Sequence, residues 1–523
     1  MQKTESIDAV IVLLASSVRG RRPTLVRARR VEDQYSGLQN VRRHRQSRRT
    51  VVPHPNPPPT NGGGNQTAGS TTIKSLMPPS NTLPPGPSLF ATFDFIRNPF
   101  RFLDTCARRY GDWFTVRVPG VSPFVFTSDP AAVREIFLGD PDALHAGEAN
   151  RPLGAFMGER SSLFLDAPEH LRQRRLLLPA FHGEQVASHA DAMRIAADNA
   201  IASWPRGQPF PIHPQMRAIT FETIIRTVLG FADDASGSAL RGLMKQLFAL
   251  YTSRLGTLFS LPAMQIDAGR WSPWGRAVRL TRQIDSILYA EFARRRKAGV
   301  EGRADVLSML LAARYEDGQP LPDNVIRDEM YTLMLAGHET TAATMAWIVN
   351  RLVTNPDVME RARAEVLLVL GGQQIDASHV GKLKYLEAVI NETMRLDPVV
   401  PNIGRGLKRA MTIAGRELPA GVTIAPCIYL VHRRPELWPN PAQFNPDRFL
   451  DSRQTPYTFF PFGGGSRRCL GAAFATYQMK IVIAEILSRV ELKPADGYEA
   501  HAIRRGIAFA PSDGLPVSVT SRS

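Results

Sequence analysis

The chain has 523 residues, 43% of them hydrophobic and 21% charged. Those proportions suit a globular protein with ample core and exclude whole-chain disorder and collagen-like repeats. The net charge of +16 invites a nucleic-acid reading, but residues 1–80 hold 13 Lys+Arg against 4 Asp+Glu, a balance of +9, and leave +7 to the other 443 residues.

At roughly 100–200 residues per domain, the length allows two to four domains or one large fold. No apolar run approaches the ~18 residues of a transmembrane helix, so no membrane span is expected. The run from Ala9 to Ala15 is short, and Glu5 and Asp8 stand where a secretory leader would be basic. Three cysteines, Cys106, Cys427 and Cys469, are too few for a disulfide framework. A cytoplasmic, reducing location is expected.

Residues 1–80 carry paired arginines (Arg21-Arg22, Arg29-Arg30, Arg42-Arg43, Arg48-Arg49), a Pro-rich run at 53–59 and Gly62-Gly63-Gly64. This composition cannot bury a core and reads as a disordered extension. Three explanations stay open: a solvated tail, a start placed too early with Met77 as the true beginning, and an Arg-rich targeting or nucleic-acid arm. Order is expected from Leu83-Pro84-Pro85-Gly86-Pro87 onward. Residues 112–118 and 123–127 read as short strands. Asp129 then caps a helix with Pro130 at its first position. Helical patterns follow at 185–203, 216–230, 238–252, 277–298, 323–354, 356–371 and 382–396. Residues 435–462, rich in proline and aromatics, read as coil, and a last helix runs over 470–490. No internal repeat is present. The pattern is mainly α with a small β-rich lobe.

Residues 459–474 read FFPFGGGSRRCLGAAF. A lone cysteine is most often a small buried hydrophobe. Here three glycines precede Cys469, Arg467 and Arg468 stand beside it, and a helix begins just after. A helix N-terminus and guanidinium groups both favour a thiolate, so a lowered thiol pKa is expected. No base can be assigned for a nucleophile, and no CxxC pair supports zinc. A single thiolate in such a cradle suits axial ligation of haem iron. Phe462, Gly465, Arg467, Cys469 and Gly471 fit the pattern FxxGxRxCxG, and on that motif the chain resembles the cytochrome P450 superfamily. The resemblance spans about residues 82–521 and implies the cytochrome P450 fold. It implies Cys469 as the ligand of a b-type haem, Phe462 packed against haem and sulfur, and Arg467 paired with a propionate.

In the long helix, Ala336-Gly337-His338-Glu339-Thr340-Thr341 hints at a zinc HExxH site, but position 342 is Ala, so that reading fails. Gly337 is costly in a helix and Thr340 can bond back to a carbonyl, so a loosened groove with an acid and a hydroxyl is expected. The segment is similar to the family's oxygen-binding stretch. That implies dioxygen as cosubstrate, with Thr340 contacting it and Glu339 relaying protons. Glu392 and Arg395, at i and i+3, match the family's ExxR pair, with Arg448 as the third member of a buried network. His170, Arg174 and Arg405 resemble the propionate-binding positions. Residues 506–519 resemble a terminal β-hairpin with its turn at Asp513-Gly514.

The implied activity is mono-oxygenation of a hydrophobic molecule such as a fatty acid, terpene or steroid-like compound. Electrons would come from a separate ferredoxin or flavodoxin with its reductase, and the protein is expected to be a monomer that does not bind nucleic acid. Residues 142–165, 240–275, 336–341 and 398–404 would line the pocket, with Phe156, Met157, Val400 and Ile403 foremost and Trp271 and Trp274 nearby. Arg433, Arg434, Arg448 and Arg468 would form a basic face for an acidic partner, against the alternative of an ordinary solvated surface. Rival readings are a peroxide-driven or isomerising relative, a haem sensor or electron carrier, and a nucleic-acid protein acting through its tail.

Overall fold

The computed structural model describes residues 83–522 apart from 89–93, 96–97, 119–120, 152–153, 155–156, 254–263 and 451–453. The expected extension 1–80, the alternative start Met77 and the pocket candidate Phe156 lie outside the described residues.

Two strands open the β-rich lobe. β1 (Trp113–Val116) and β2 (Phe124–Thr127) pair antiparallel, with Trp113 opposite Thr127. The helix Pro130–Leu138 follows, and the Asp129 side chain accepts a hydrogen bond from the Ala131 N–H at 2.9 Å. β3 (Leu144–His145) and, from the far end of the chain, β5 (Arg405–Leu407) and β8 (Thr423–Pro426) complete the sheet in the order β1-β2-β8-β5-β3, while β6 (Met411–Ile413) and β7 (Arg416–Leu418) pair apart from it. β2 and β8 run parallel across some 300 residues of intervening chain, Phe124 facing Thr423. Trp113, Val125, Val133, Phe137, Ile424 and Phe460 share the core beneath.

The helical body is organised by one helix of 31 residues, Asp323–Val353. It is buried almost all round, polar side chains such as Asp328, Glu329, His338 and Glu339 included. Helices Ile212–Ile224, Pro273–Ala298, Lys384–Leu396 and Ala472–Arg489 pack against it. A π-helical turn, Ile225–Leu229, ends at Gly230, and buried Arg295 donates to the carbonyls of Leu229 (2.8 Å) and Gly230 (3.1 Å), satisfying that helix end. Among the described residues, the expected coil at 435–462 holds one short 3-10 turn, Pro446–Phe449.

The C-terminal expectation needs correction. The hairpin is β10 (Ala502–Arg505) with β11 (Ala508–Pro511), turning at Gly506. β12 (Pro516–Arg522) does not pair with β11; it joins β9 (Val490–Pro494) and β4 (Phe210–Pro211). Asp513 and Gly514 do make a turn, with φ of +51° and +75°, but Leu515 at +56° follows them and redirects the chain.

Candidate active site

The Cys469 loop is shaped from below by the β-rich lobe. A Cβ on Gly464 would lie 2.1 Å from the Phe137 ring, and one on Gly465, at φ +66°, would lie 2.2 Å from the Phe137 carbonyl. Only glycine admits this approach. The Cys469 N–H donates to the Phe462 carbonyl at 2.9 Å, closing the loop, and the helix Ala472–Arg489 begins three residues on. Phe462 is half-buried against the main core. Burial raises the Cys469 thiol pKa; the Gly471 N–H and the charges of Arg174 and Arg468 oppose this and lose. The expected lowering is therefore overturned, because desolvation of the anion outweighs the nearby charges. Although ringed by protein, the Cys469 side chain is open to space. The sulfur is thus desolvated and yet has free space beside it.

A second wall carries positive charge. Arg467 pairs with Asp166 at 2.8 Å and donates to the carbonyls of Ser162 (3.2 Å) and Leu165. Arg405 is buried, donates to the Gly404 carbonyl at 2.8 Å, and has no carboxylate in ion-pair reach among the described residues. Burial, then the charge of Arg467, pushes its pKa down to about 10. His170 lies in the same field: burial, Arg467 and Arg174 lower its pKa to about 3, so it is neutral. His170, Arg174, Arg405 and Arg467 thus share one charge field, with Asp166 as the acid in it. Buried positive charge in excess of its acid calls for an anion.

The central helix carries an open stripe of its own. From residue 328 to 350 only Leu333, Ala336, Gly337 and Thr340 keep part of their surface open. Their spacing puts them on one face. The Thr340 hydroxyl donates to the Ala336 carbonyl at 2.6 Å on that face. Glu339, about 100° round the helix, points into the body. Its carboxylate lies 2.9 Å from Arg217 Nε and 3.3 Å from His213 Nε2. Burial pushes the Glu339 pKa up, but the His213 hydrogen bond and the charges of Arg217 and His213 prevail and hold it low. His338 accepts or donates with Thr220 at 2.9 Å and stacks on Phe248, and burial lowers its pKa to about 3. His213 and Arg217 carried no sequence signal, lying more than 120 positions from Glu339.

Comparison with known proteins decides the family. The cytochrome P450 family model matches residues 78–514. A "putative cytochrome P450 135B1" of Mycobacterium tuberculosis is 41% identical over 444 residues, 84% of this chain and 91% of that protein. A "putative cytochrome P450 138" of the same organism is 35% identical over 452 residues, covering 85% and 98%. Among solved structures, "Retinoic acid bound cyanobacterial CYP120A1" superposes with a TM-score of 0.72 at 24% identity, covering 84% of this chain and 99% of that one. The cytochrome P450DA haem domain gives 0.71 at 23% identity, covering 84% and 96%.

The chain belongs to the cytochrome P450 family. Membership makes it a haem-dependent monooxygenase that uses dioxygen, redox partners and a hydrophobic substrate. The residues of this P450 fit haem: the accessible Cys469 sulfur is a donor suited to iron, and the arginine cradle would hold the group's carboxylates.

Behind this site lies the structural network of the P450. Glu392 is fully buried, with Arg395 at 2.7 Å, Arg448 at 3.0 Å and the Asn445 N–H at 2.9 Å on its carboxylate. Arg395 also donates to the carbonyls of His432 and Pro441, each at 2.8 Å. The basic face is smaller than expected. Arg433 donates to the Leu396 carbonyl and stacks on Tyr429, and Arg434 pairs with Asp112, so both are held by protein groups. Arg468 is the exposed one, while Arg448 is largely buried. Of the pocket candidates, Met157 is fully buried in the core, and Val400 and Ile403 are half-buried.

One tether predicts a pH dependence. Glu329 of the central helix accepts hydrogen bonds from the Ser162 N–H (2.6 Å), the Ser162 hydroxyl (3.1 Å) and the Gln173 amide, tying down the loop that meets Arg467. Burial outweighs these bonds and raises the Glu329 pKa from 4.5 to about 7. The folded carboxyl thus keeps its proton at a pH where the unfolded one has lost it. Its contribution to stability is present below about pH 4.5 and is lost as pH rises through 7. Glu329→Gln should flatten this part of the profile, by an amount on the order of 2 kcal/mol. Urea midpoints of both proteins at pH 5 and pH 7.5 check it; equal slopes would refute it.

Proposed function

We propose that this P450 holds haem b through Cys469 and inserts one atom of dioxygen into a fatty acid, terpene or steroid-like substrate. The observation that carries the reading is the deep but accessible Cys469 sulfur beside an anion-seeking arginine cradle. Haem, once bound, supplies the oxygen-activating chemistry. The chain's own groups do the rest. His170, Arg174, Arg405 and Arg467 orient the propionate edge, and Phe462 packs beside the sulfur. Ala336 and Gly337 leave room along the open stripe. Thr340 holds its hydroxyl proton on the Ala336 carbonyl, where it can turn to dioxygen. Glu339, clamped as an anion by His213 and Arg217, governs proton supply from the other side of the helix. Electrons come from a ferredoxin or flavodoxin with its reductase, and exposed Arg468 contributes to docking. The sparse cysteines fit a reducing, cytoplasmic location, and the protein works as a monomer.

Reconstitution with a reductase system under 18O-labelled dioxygen tests this: product should gain one labelled oxygen. Thr340→Ala should lower product per dioxygen consumed by about 10²-fold, with hydrogen peroxide accounting for the remainder. The reduced, carbon monoxide spectrum should not change. Full product yield from Thr340→Ala would remove Thr340 from the proton path.

A further inference from the structure

His432 is fully buried. Its backbone belongs to the Glu392–Arg395 network, since its carbonyl accepts from Arg395 at 2.8 Å. Its ring serves a different partner: the Phe460 N–H donates to His432 Nε2 at 3.0 Å. Phe459 and Phe460 lie against the imidazole, with ring centroids 5.2 and 5.3 Å away, and Trp438 stands at 6.3 Å. Trp438 is held in turn. Its Nε1 donates to the Val431 carbonyl at 3.2 Å, and the Arg395 guanidinium lies 5.3 Å from its ring centre. One residue therefore touches both the Arg395 cluster and the start of the Cys469 loop.

The loop needs that outside hold. The Gly463 N–H donates to the Phe460 carbonyl and the Cys469 N–H to the Phe462 carbonyl, each at 2.9 Å, and both bonds close within the loop. They fix its shape and not its place. Phe460 stands two residues before Phe462, and its ring meets Phe137 edge-on at 5.3 Å. Phe137 is the residue that Gly464 and Gly465 approach closely. A shift at Phe460 is thus passed to the carbonyl that holds the Cys469 N–H. Phe460 is buried, so solvent does not replace the imidazole as acceptor. The imidazole accepts only while neutral, with its proton on Nδ1. It stays neutral because burial, then the charges of Arg395 and Arg433, push its pKa far down.

We propose that the His432 imidazole is a positioning residue for the Cys469 sulfur, anchoring the start of the sulfur loop to the Glu392–Arg395 network through the Phe460 N–H. This rests on the reading of Cys469 as the haem ligand and adds a residue to it. The route runs from Glu392 to Arg395, to the His432 carbonyl and ring, to Phe460, and so to the Phe462 carbonyl and the Cys469 N–H. Groups that orient a ligand tune the site as well as hold it. Without the acceptor, the Phe460 N–H is left buried and unbonded, and the loop gains by moving to satisfy it.

The test compares the holoenzyme with His432→Leu, which keeps apolar volume without an acceptor, and His432→Gln, whose amide oxygen can accept. Leu307→Ala, a packing defect in the helix Val306–Ala312, is the control for general loss of stability. Three quantities are read: the rate at which the red-shifted band of the reduced, carbon monoxide-treated protein decays, hydrogen exchange of the peptide that holds Phe460, and the urea midpoint. In His432→Leu, band decay and Phe460 exchange should each speed up about tenfold. His432→Gln should stay within about threefold of the wild type, and Leu307→Ala should lower the midpoint while its band decays within about twofold of the wild-type rate. If His432→Leu takes up no haem, His432→Gln decides: a stable band there supports the anchor, and a band lost in both overturns it. Wild-type rates in His432→Leu, or equal acceleration in Leu307→Ala, would also overturn it. A wild-type protein with no red-shifted band sinks the Cys469 reading; a normal band that ignores His432 sinks the anchor alone.

Discussion

Cys469→His should abolish the red-shifted Soret band of the reduced, carbon monoxide-treated protein and lower product formation by roughly 10³-fold or more, about 4 kcal/mol of barrier. Two physical reasons combine. Thiolate sulfur donates electron density to iron that neutral imidazole does not. The loop is also fixed in place by the Cys469 N–H bond to Phe462 and by the contact of Gly464 and Gly465 with Phe137, so it cannot retreat to seat a longer side chain. The far-ultraviolet circular dichroism should match the wild type, since Cys469 contributes accessible surface and not core packing. A variant whose spectrum ignores the change would show that another group binds the iron. The remaining site residues would then revert to ordinary roles: a solvated arginine face and a packed threonine.

The largest loss of stability should follow Glu392→Ala. The carboxylate serves Arg395, Arg448 and the Asn445 N–H together, and Arg395 and Glu392 are fully buried. Removing it strands buried positive charge, at a typical cost of 3–5 kcal/mol. That is a large fraction of the ~5–15 kcal/mol that holds a domain together. The network also clamps the segment 432–448 through the His432, Pro441 and Gln443 carbonyls, and the Cys469 loop follows that segment directly. The expected result is protein with little or no bound haem and a strongly lowered urea midpoint. Glu392→Gln keeps an acceptor for one arginine and should lose less. Measuring haem per polypeptide alongside the midpoint separates a folding defect from a kinetic one. A normal haem content in Glu392→Ala would show that the Arg395 carbonyl bonds suffice.

The two strongest features of the site were legible in the sequence because their chemistry is local. Cys469, its glycines and its arginines fall within ten residues, and Glu392 and Arg395 lie one helical turn apart. The long helix and the Asp129 cap were legible for the same reason, since periodicity and capping act over a few residues. Spacing also put Thr340 on a helix beside an acid. It did not say that Thr340 faces the open stripe while Glu339 turns into His213 and Arg217.

What only the tertiary structure decided depends on burial and on contacts between distant segments. The β2–β8 pairing, the register of β12 with β9 and the employment of Arg433 and Arg434 inside the protein all join parts of the chain that share no local signal. The sign of the Cys469 shift belongs here too. Neighbouring charges can be read from a sequence, but the desolvation that outweighs them arises only when the loop is enclosed. The sequence by itself determined the family and the reaction class, because these rest on residue types at short spacing. The fold decided which charges are satisfied, which are left for a ligand, and on which face each group acts, because those depend on what each side chain is buried against.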